Sequence, residues 1–159
     1  MNDRLYNTKL ELGLRCLFIL KALYPNICSL DRLLYLDYLS LYIEDFKEDG
    51  TNLHPKYPFQ TIEVLEKRLV IKKSILELGL KGLIDVETNE GLGYRGNANT
   101  LWLIDSIQDN YSEHLMKNIQ LVVKEAEFKT EEELKKIIFS HNAVEQNEFC
   151  SFYPYNEEE

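Results

Sequence analysis

Two segments of this sequence have the composition of helices that are apolar around almost their whole circumference. Residues 8–24 are predicted as a first helix, with Thr8 as its N-cap and Pro25 just beyond its end. At 100° per residue, the leucines and other apolar side chains of this segment point in nearly every direction. A helix of this kind must be covered on most of its sides. The chain therefore has to build layers around this helix or share it with a partner.

The second predicted helix begins near Ser29 or Asp31, either of which can cap it, and runs to about residue 47. It is crowded with leucine and tyrosine side chains. Asp37, Ser40 and Glu44 are spaced three and four positions apart, so they share one narrow polar strip. We expect that strip to be the part of the helix that faces water.

A third helix is predicted from about residue 61 to residue 80, and it carries two apolar stripes on opposite sides. The first stripe consists of Ile62, Leu65, Leu69, Leu76 and Leu80. The second stripe consists of Val64, Ile71, Ile75 and Leu78. Two stripes indicate two packing surfaces, one for the core of the chain and one for a partner. We assign the second stripe as the candidate partner-binding surface.

The third helix is followed by two predicted strands, at residues 83–87 and 92–96, joined by a glycine-containing turn. A helix followed by a glycine-rich hairpin is the pattern by which a winged helix passes from its third helix to its wing. The predicted fold class is therefore mainly α with a small β-hairpin (α+β). It comprises a winged-helix-like domain at residues 8–100, a C-terminal helical extension at 101–140, and an acidic and aromatic tail at 141–159.

Two longer helices are predicted within the C-terminal extension. Ser112 can cap the first of them, and the apolar stripe of that helix consists of Leu115, Ile119, Val122 and Ala126. The segment from Thr130 to Glu133 has the sequence of a capping box, which indicates the start of the second.

No motif with catalytic or metal-binding chemistry is found in the sequence. His54 lies in Asn52-Leu53-His54-Pro55 without an evident nucleophile nearby, so we interpret it as anchoring a loop by a hydrogen bond. The three cysteines, Cys16, Cys28 and Cys150, form no Cys-x-x-Cys pair. We therefore expect a protein that is not an enzyme and that holds neither a metal nor a cofactor.

The chain is acidic, with a formal net charge of −9, and more than half of this charge lies from residue 129 onward, in three Lys and eight Glu. The only local basic cluster, a candidate DNA-binding surface on the third helix and the wing, consists of Lys67, Arg68, Lys72, Lys73 and Arg95. The four helical members spread over about 240° of the helix. Interspersed glutamates offset their charge, which favours a solvated, ion-paired surface over a DNA contact.

The acidic tail contains four aromatic residues within seven positions, and they are Phe149, Phe152, Tyr153 and Tyr155. Two interpretations remain open for this tail. It is a solubilising extension, or it is a short segment whose aromatic side chains bind a partner. No apolar run approaches the length of roughly 18 residues that crosses a bilayer, and we expect a cytoplasmic protein that does not contact membranes.

Several short motifs occur in a recognisable order. They are Ser29-Leu30-Asp31-Arg32-Leu33-Leu34-Tyr35-Leu36-Asp37-Tyr38-Leu39, Asn52-Leu53-His54-Pro55, Gly79-Leu80-x-Gly82-Leu83-Ile84, Gly93-Tyr94-Arg95 and Leu103-Ile104-Asp105-Ser106. In this order they resemble the small middle component of bacterial ABC-three-component systems, to which the SMC-associated small subunits of Lamassu-type systems are similar. The resemblance spans roughly residues 10–125.

The resemblance implies a non-catalytic accessory subunit of an SMC/Rad50-like ATPase complex in defence against phages and plasmids. The subunit would bind the ATPase heads or the adjacent coiled coil, and it would gate DNA or an effector nuclease. Because the apolar helices need more cover than one small domain readily provides, we expect the isolated chain to self-associate or to be poorly soluble. The alternative hypothesis is a winged-helix DNA-binding transcriptional regulator.

Overall fold

The computed structural model of the chain describes residues 8–56 and 60–140. Within these residues it contains six α-helices and one hairpin, in the order α1 (Lys9–Leu23), α2 (Leu30–Leu41), α3 (Gln60–Leu80), β1 (Ile84–Glu87), β2 (Gly93–Gly96), α4 (Ala98–Asp105), α5 (Asn110–Ala126) and α6 (Glu131–Ser140). The predicted class, mainly helical with a small antiparallel hairpin, is confirmed. Across the described ranges, no helix is long and apolar enough to cross a membrane.

Helix α1 lies at the centre of the fold and is covered on most of its sides, as its sequence requires. It packs against α2, α3, α4, α5 and β2. As a result, every residue from Leu12 to Leu20 except Leu14 is buried. Thr8 begins the helix as predicted, because its Oγ1 accepts a hydrogen bond of 3.2 Å from the backbone N–H of Glu11.

Helix α2 starts after Ser29, as predicted, and ends at Leu41 rather than near residue 47. A 3-10 turn at Ile43–Asp45 follows it. The apolar side chains that follow Leu41 do not need a continued α-helix to be covered, because Ile43 is buried from within the 3-10 turn.

The expectation that Asp37 and Ser40 face water is wrong, because both side chains are 1% exposed. Each side chain forms a hydrogen bond with a group inside the protein. Asp37 binds Arg15 of α1, and the hydroxyl of Ser40 donates a 2.6 Å hydrogen bond to the carbonyl oxygen of Leu36. Asp37 and Ser40 therefore face the interior, whereas Glu44, which lies in the 3-10 turn, is exposed.

Helix α5 packs on α1 and α2, helix α6 packs on α2, and both share the hydrophobic core. The predicted stripe of α5 is fully buried. This helix begins three residues earlier than expected, because Asp109 caps it and accepts a hydrogen bond of 2.9 Å from the backbone N–H of Ser112. The predicted capping box of α6 is present, with reciprocal hydrogen bonds between Thr130 and Glu133 of 2.7 and 3.2 Å.

The start of α2 also holds the turn between α5 and α6. The guanidinium of Arg32 donates hydrogen bonds to the carbonyl oxygens of Ala126 (2.6 Å) and Lys129 (2.8 Å). The hydroxyl of Ser29 donates to a carboxylate oxygen of Glu131 at 3.1 Å. The carbonyl of Ala126 is one that the end of α5 leaves without an intrahelical partner, and the other two contacts bind the residues that follow that helix.

Strands β1 and β2 form the hairpin, with Ile84 opposite Gly96. Gly82 turns the chain out of α3 with a φ of 72°, a value that glycine adopts without a steric penalty. Cys28, between α1 and α2, exchanges two backbone hydrogen bonds of 2.8 Å with Tyr94 of β2. The connection between the first two helices therefore lies beside β2, as a single antiparallel bridge.

Candidate functional site

The inner face of α3 belongs to the core of the chain. Val64, Ile71 and Ile75 are at most 1% exposed, and Leu78 is partly buried against the same core. The structure thus reverses the assignment of these four residues as a partner-binding surface. The physical reason is that α1 and α2 pack on this side of α3 and cover it.

The opposite stripe of α3 faces outward, and we call it the leucine face. Its four leucines and their exposed fractions are Leu65 62%, Leu69 59%, Leu76 47% and Leu80 89%. A row of exposed leucines along a 21-residue helix is unusual on a soluble surface, where large apolar side chains normally occur singly. The leucine face is therefore the candidate functional site.

Three of the five residues predicted to contact DNA are already engaged within the chain. Lys67 is only 6% exposed. Arg68 donates a 2.7 Å hydrogen bond to Asp31 of α2. Arg95 donates a 2.5 Å hydrogen bond to Glu87, on the neighbouring strand of the hairpin. The structure therefore removes Lys67 from the accessible basic surface and neutralises the two arginines.

The other two predicted DNA contacts, Lys72 and Lys73, are exposed on α3. Neither forms a hydrogen bond or an ion pair within the part of the chain that the structure describes. They lie on the two sides of the leucine face, about 50° from its centre line at 100° per residue. Of the predicted basic cluster, only Lys72 and Lys73 remain as exposed, unpaired cations among the described residues, and they flank the leucine face.

Beneath α3 lies a buried group of charges centred on Arg15 and Asp37, each of which is 1% exposed. The guanidinium donates two hydrogen bonds to the carboxylate, from Nε to Oδ1 at 2.6 Å and from Nη2 to Oδ2 at 3.0 Å. Its Nη1 also donates to Glu11, one turn away on α1, at 3.1 Å. Burial opposes the ionisation of Asp37, but the adjacent guanidinium outweighs it and holds the pKa of this carboxyl below its ordinary value.

Lys67 extends this group of charges onto α3. Its Nζ lies 3.7 Å from a carboxylate oxygen of Glu63, and its charge interacts with that of Asp37. Burial lowers the pKa of Lys67 from its ordinary value, and the Asp37 charge opposes that shift. The ammonium group belongs to the interface between α3 and the first two helices, where it contributes to the orientation of α3.

His54 joins the same region from the loop before α3. Its Nε2 lies 2.9 Å from the hydroxyl of Tyr111 at the start of α5, so it anchors the loop by a hydrogen bond, as predicted. Burial and the positive charge of Arg15 lower the pKa of His54 to about 4. The imidazole is therefore neutral at pH 7. Burial also raises the pKa of Tyr111 to about 12.

The chemistry of this buried group is that of a structural ion pair. Both oxygens of Asp37 accept hydrogen bonds from Arg15, and His54 is held by Tyr111. Among the described residues, no group of three or more His, Cys, Asp or Glu side chains could hold a metal ion. The groups instead join α1, α2, α3 and α5, and they fix the helix that carries the leucine face.

Sequence reasoning missed this buried group, although one signal was present. Arg15 stands between Leu14 and Cys16 in a helix that has to be covered on most of its sides. A charge at such a position must be buried with a partner, because an unpaired buried charge is too costly. The four candidate aromatic residues of the tail, Phe149, Phe152, Tyr153 and Tyr155, lie outside the described residues, so their assignment stays a prediction.

Comparison with known proteins finds one family. The family model that matches the chain is described as ABC-three component (ABC-3C) system Middle Component 2, and it covers residues 5–148. The matched range contains all six helices and the hairpin described above. No curated protein and no solved structure matches the chain.

Proposed function

Because the chain belongs to the Middle Component 2 family of ABC-three component systems, as its motifs indicated, we propose that it is a non-catalytic subunit of its system. In this proposal it binds the largest component, an SMC/Rad50-like ATPase, and thereby acts in defence against phages and plasmids. An effector nuclease is the third component that we expect. The contact with the ATPase is made by the leucine face of α3.

The exposure of the four leucines carries this proposal. A leucine side chain that passes from water into an interface contributes about 1.5–3 kcal/mol. A row of leucines on one rigid helix can therefore supply the apolar centre of a stable interface. The same row is a liability in an isolated chain, which supports our expectation that the subunit is kept in a complex.

The arrangement of the first 100 residues supports a further part of the proposal, that they form a winged helix. Three helices precede the hairpin. Cys28, between the first two helices, pairs with Tyr94 as a single bridge and takes the place of a short third strand beside β2. Winged helices that bind DNA place a recognition helix against it. Here the outer face of α3 presents leucines more than cations, so we propose that the arrangement serves contact with a protein.

The test is co-purification of the full chain with the other two components of its system. The informative variant carries Leu69→Glu and Leu76→Glu on the leucine face. The matched control carries Leu92→Glu and Phe128→Glu, which alter two exposed apolar residues elsewhere and change the net charge equally. We expect the first variant to lose at least about a hundredfold in affinity and the control to bind like the wild type.

Two results would overturn the proposal. In the first, the leucine variant binds the larger component as tightly as the wild type does. In the second, binding to duplex DNA falls steeply with salt and is lost in a Lys72→Gln/Lys73→Gln variant, while no component binds to the chain. The second result would favour the winged-helix transcriptional regulator. Lys67 stays unchanged in every variant, because an acidic residue at this buried position would disrupt folding.

A further inference from the structure

The leucine face carries two positive charges halfway along its length, one on each of its two sides. Lys72 and Lys73 lie between Leu69 and Leu76, which are separated by about two helical turns. Leu65 and Leu69 form one apolar pair before the lysines, and the other two leucines form a second pair after them. Any molecule that covers both pairs therefore meets two ammonium groups halfway along the interface, one at each side.

The charges around these central lysines are already paired or distant. Glu77, one turn beyond them, forms an ion pair with Lys9 of α1. Arg68 is paired with Asp31 of α2. Glu66 is exposed on the flank of the leucine face, but it lies about 10 Å along the helix axis from Lys73. The charge at the centre of the leucine face is thus positive.

A second copy of this chain is a poor occupant for this surface. An antiparallel pairing that matches leucine pair to leucine pair places the two lysines of one copy at the same level as the two lysines of the other. A parallel pairing in register does the same. Both arrangements bring four ammonium groups together halfway along the interface, at its two edges, where like charges repel each other.

We infer that the occupant of the leucine face is an amphipathic helix of the larger component, with Asp or Glu at its centre. Its apolar side chains match the two leucine pairs, and its acidic side chains lie against Lys72 and Lys73. The apolar contacts supply affinity, whereas the central charges set the register and exclude basic partners. This inference rests on the proposed function, because it specifies the chemistry of the partner segment.

The experiment uses three synthetic helical peptides as probes of the full chain. Each peptide has 21 residues and leucines at the spacing found in α3, and the two central positions are both Glu, both Gln or both Lys. We expect the Glu peptide to bind about three- to tenfold more tightly than the Gln peptide, and the Lys peptide to bind most weakly. The exposed double substitution Lys72→Glu/Lys73→Glu should reverse this order.

The outcomes separate this inference from the proposed function. Equal affinities for the three peptides, or no binding of any peptide, would overturn the acidic helix as the occupant. The proposed function would still stand if Leu69→Glu with Leu76→Glu abolished binding of the larger component. A dimeric mass in light scattering that becomes monomeric in the same leucine variant would identify a second copy as the occupant. That result would overturn the inference as well.

Discussion

Replacement of Arg15 by methionine tests whether the buried ion pair with Asp37 fixes the helices that support α3. The substitution keeps a long apolar side chain and removes the guanidinium that donates to both oxygens of Asp37. At 1% exposure, the carboxylate then remains buried, and Lys67 is a remaining cation whose charge acts on it. Removal of one member of a buried ion pair typically costs about 3–5 kcal/mol. That is a large part of the 5–15 kcal/mol by which domains of this kind are stable.

Urea unfolding of the full chain, followed by circular dichroism at pH 7, measures this loss. The matched variants are Asp37→Val alone and Arg15→Met with Asp37→Val, which removes both charges. We expect the double variant to lie within about 1–2 kcal/mol of the wild type, because an ion pair replaced by apolar side chains of similar volume is often nearly neutral. The coupling between the two sites should then exceed about 2 kcal/mol.

The pH dependence supplies an independent check. Without the guanidinium, burial should raise the pKa of Asp37 above its ordinary value. The stability of Arg15→Met relative to the wild type should therefore increase as the pH falls from 7 towards 5, because Asp37 of the folded variant then takes up a proton before that of the unfolded state does. A loss below about 1 kcal/mol in Arg15→Met, or a double variant whose loss equals the sum of the two single losses, would refute the reasoning.

Two further predictions concern buried titratable groups. The pKa of His54 is lowered from 6.5 to about 4, so the stability that it contributes is complete above pH 6.5 and falls by about 3 kcal/mol towards pH 4. Urea midpoints at pH 7.5, 5.5 and 4.5 measure this decline, and an equal decline in His54→Gln would contradict the assignment. Burial raises the pKa of Cys28 to about 12 and also raises that of Cys16. In a Cys150→Ser variant we therefore expect no thiol to react with Ellman's reagent at pH 8 until the protein is unfolded, and prompt reaction in the native state would show that these thiols are accessible.

The starts of three helices could be predicted well because their signals are local, whereas the predicted end of the second helix was too late. Thr8, Ser29 and the capping box from Thr130 to Glu133 each form the hydrogen bonds that their sequence indicates. The cap of α5 was misplaced, since Asp109 and Ser112 are both good capping residues. Each choice of cap starts the helix at a different residue, and only the packing of its first turn against the rest of the protein decides between them.

The side of each helix that faces inward could not be predicted from periodicity alone. In α3 two apolar stripes are equally regular, and only the positions of α1 and α2 decide that Ile71 is buried and Leu69 is exposed. In α2 the polar strip appeared to suit water, but Arg15 of α1 gives Asp37 a better partner. Both decisions depend on contacts between residues that are distant in the sequence.

The hydrogen bonds at the start of α2 bear on whether the first 100 residues can fold without the C-terminal helices. Within a few residues, Ser29 and Arg32 reach the turn between α5 and α6, and Asp31 reaches α3. Farther along the chain, Asn118 of α5 donates hydrogen bonds of 3.0 Å to the carbonyl oxygens of Ser40 and Thr51. A chain shortened at residue 100 would leave these polar groups without partners and would uncover the apolar sides of α1 and α2. We therefore expect α1, α2 and α3 to need α5 and α6 in order to fold stably. A middle component transferred into another system should accordingly function only if the whole described region is transferred together.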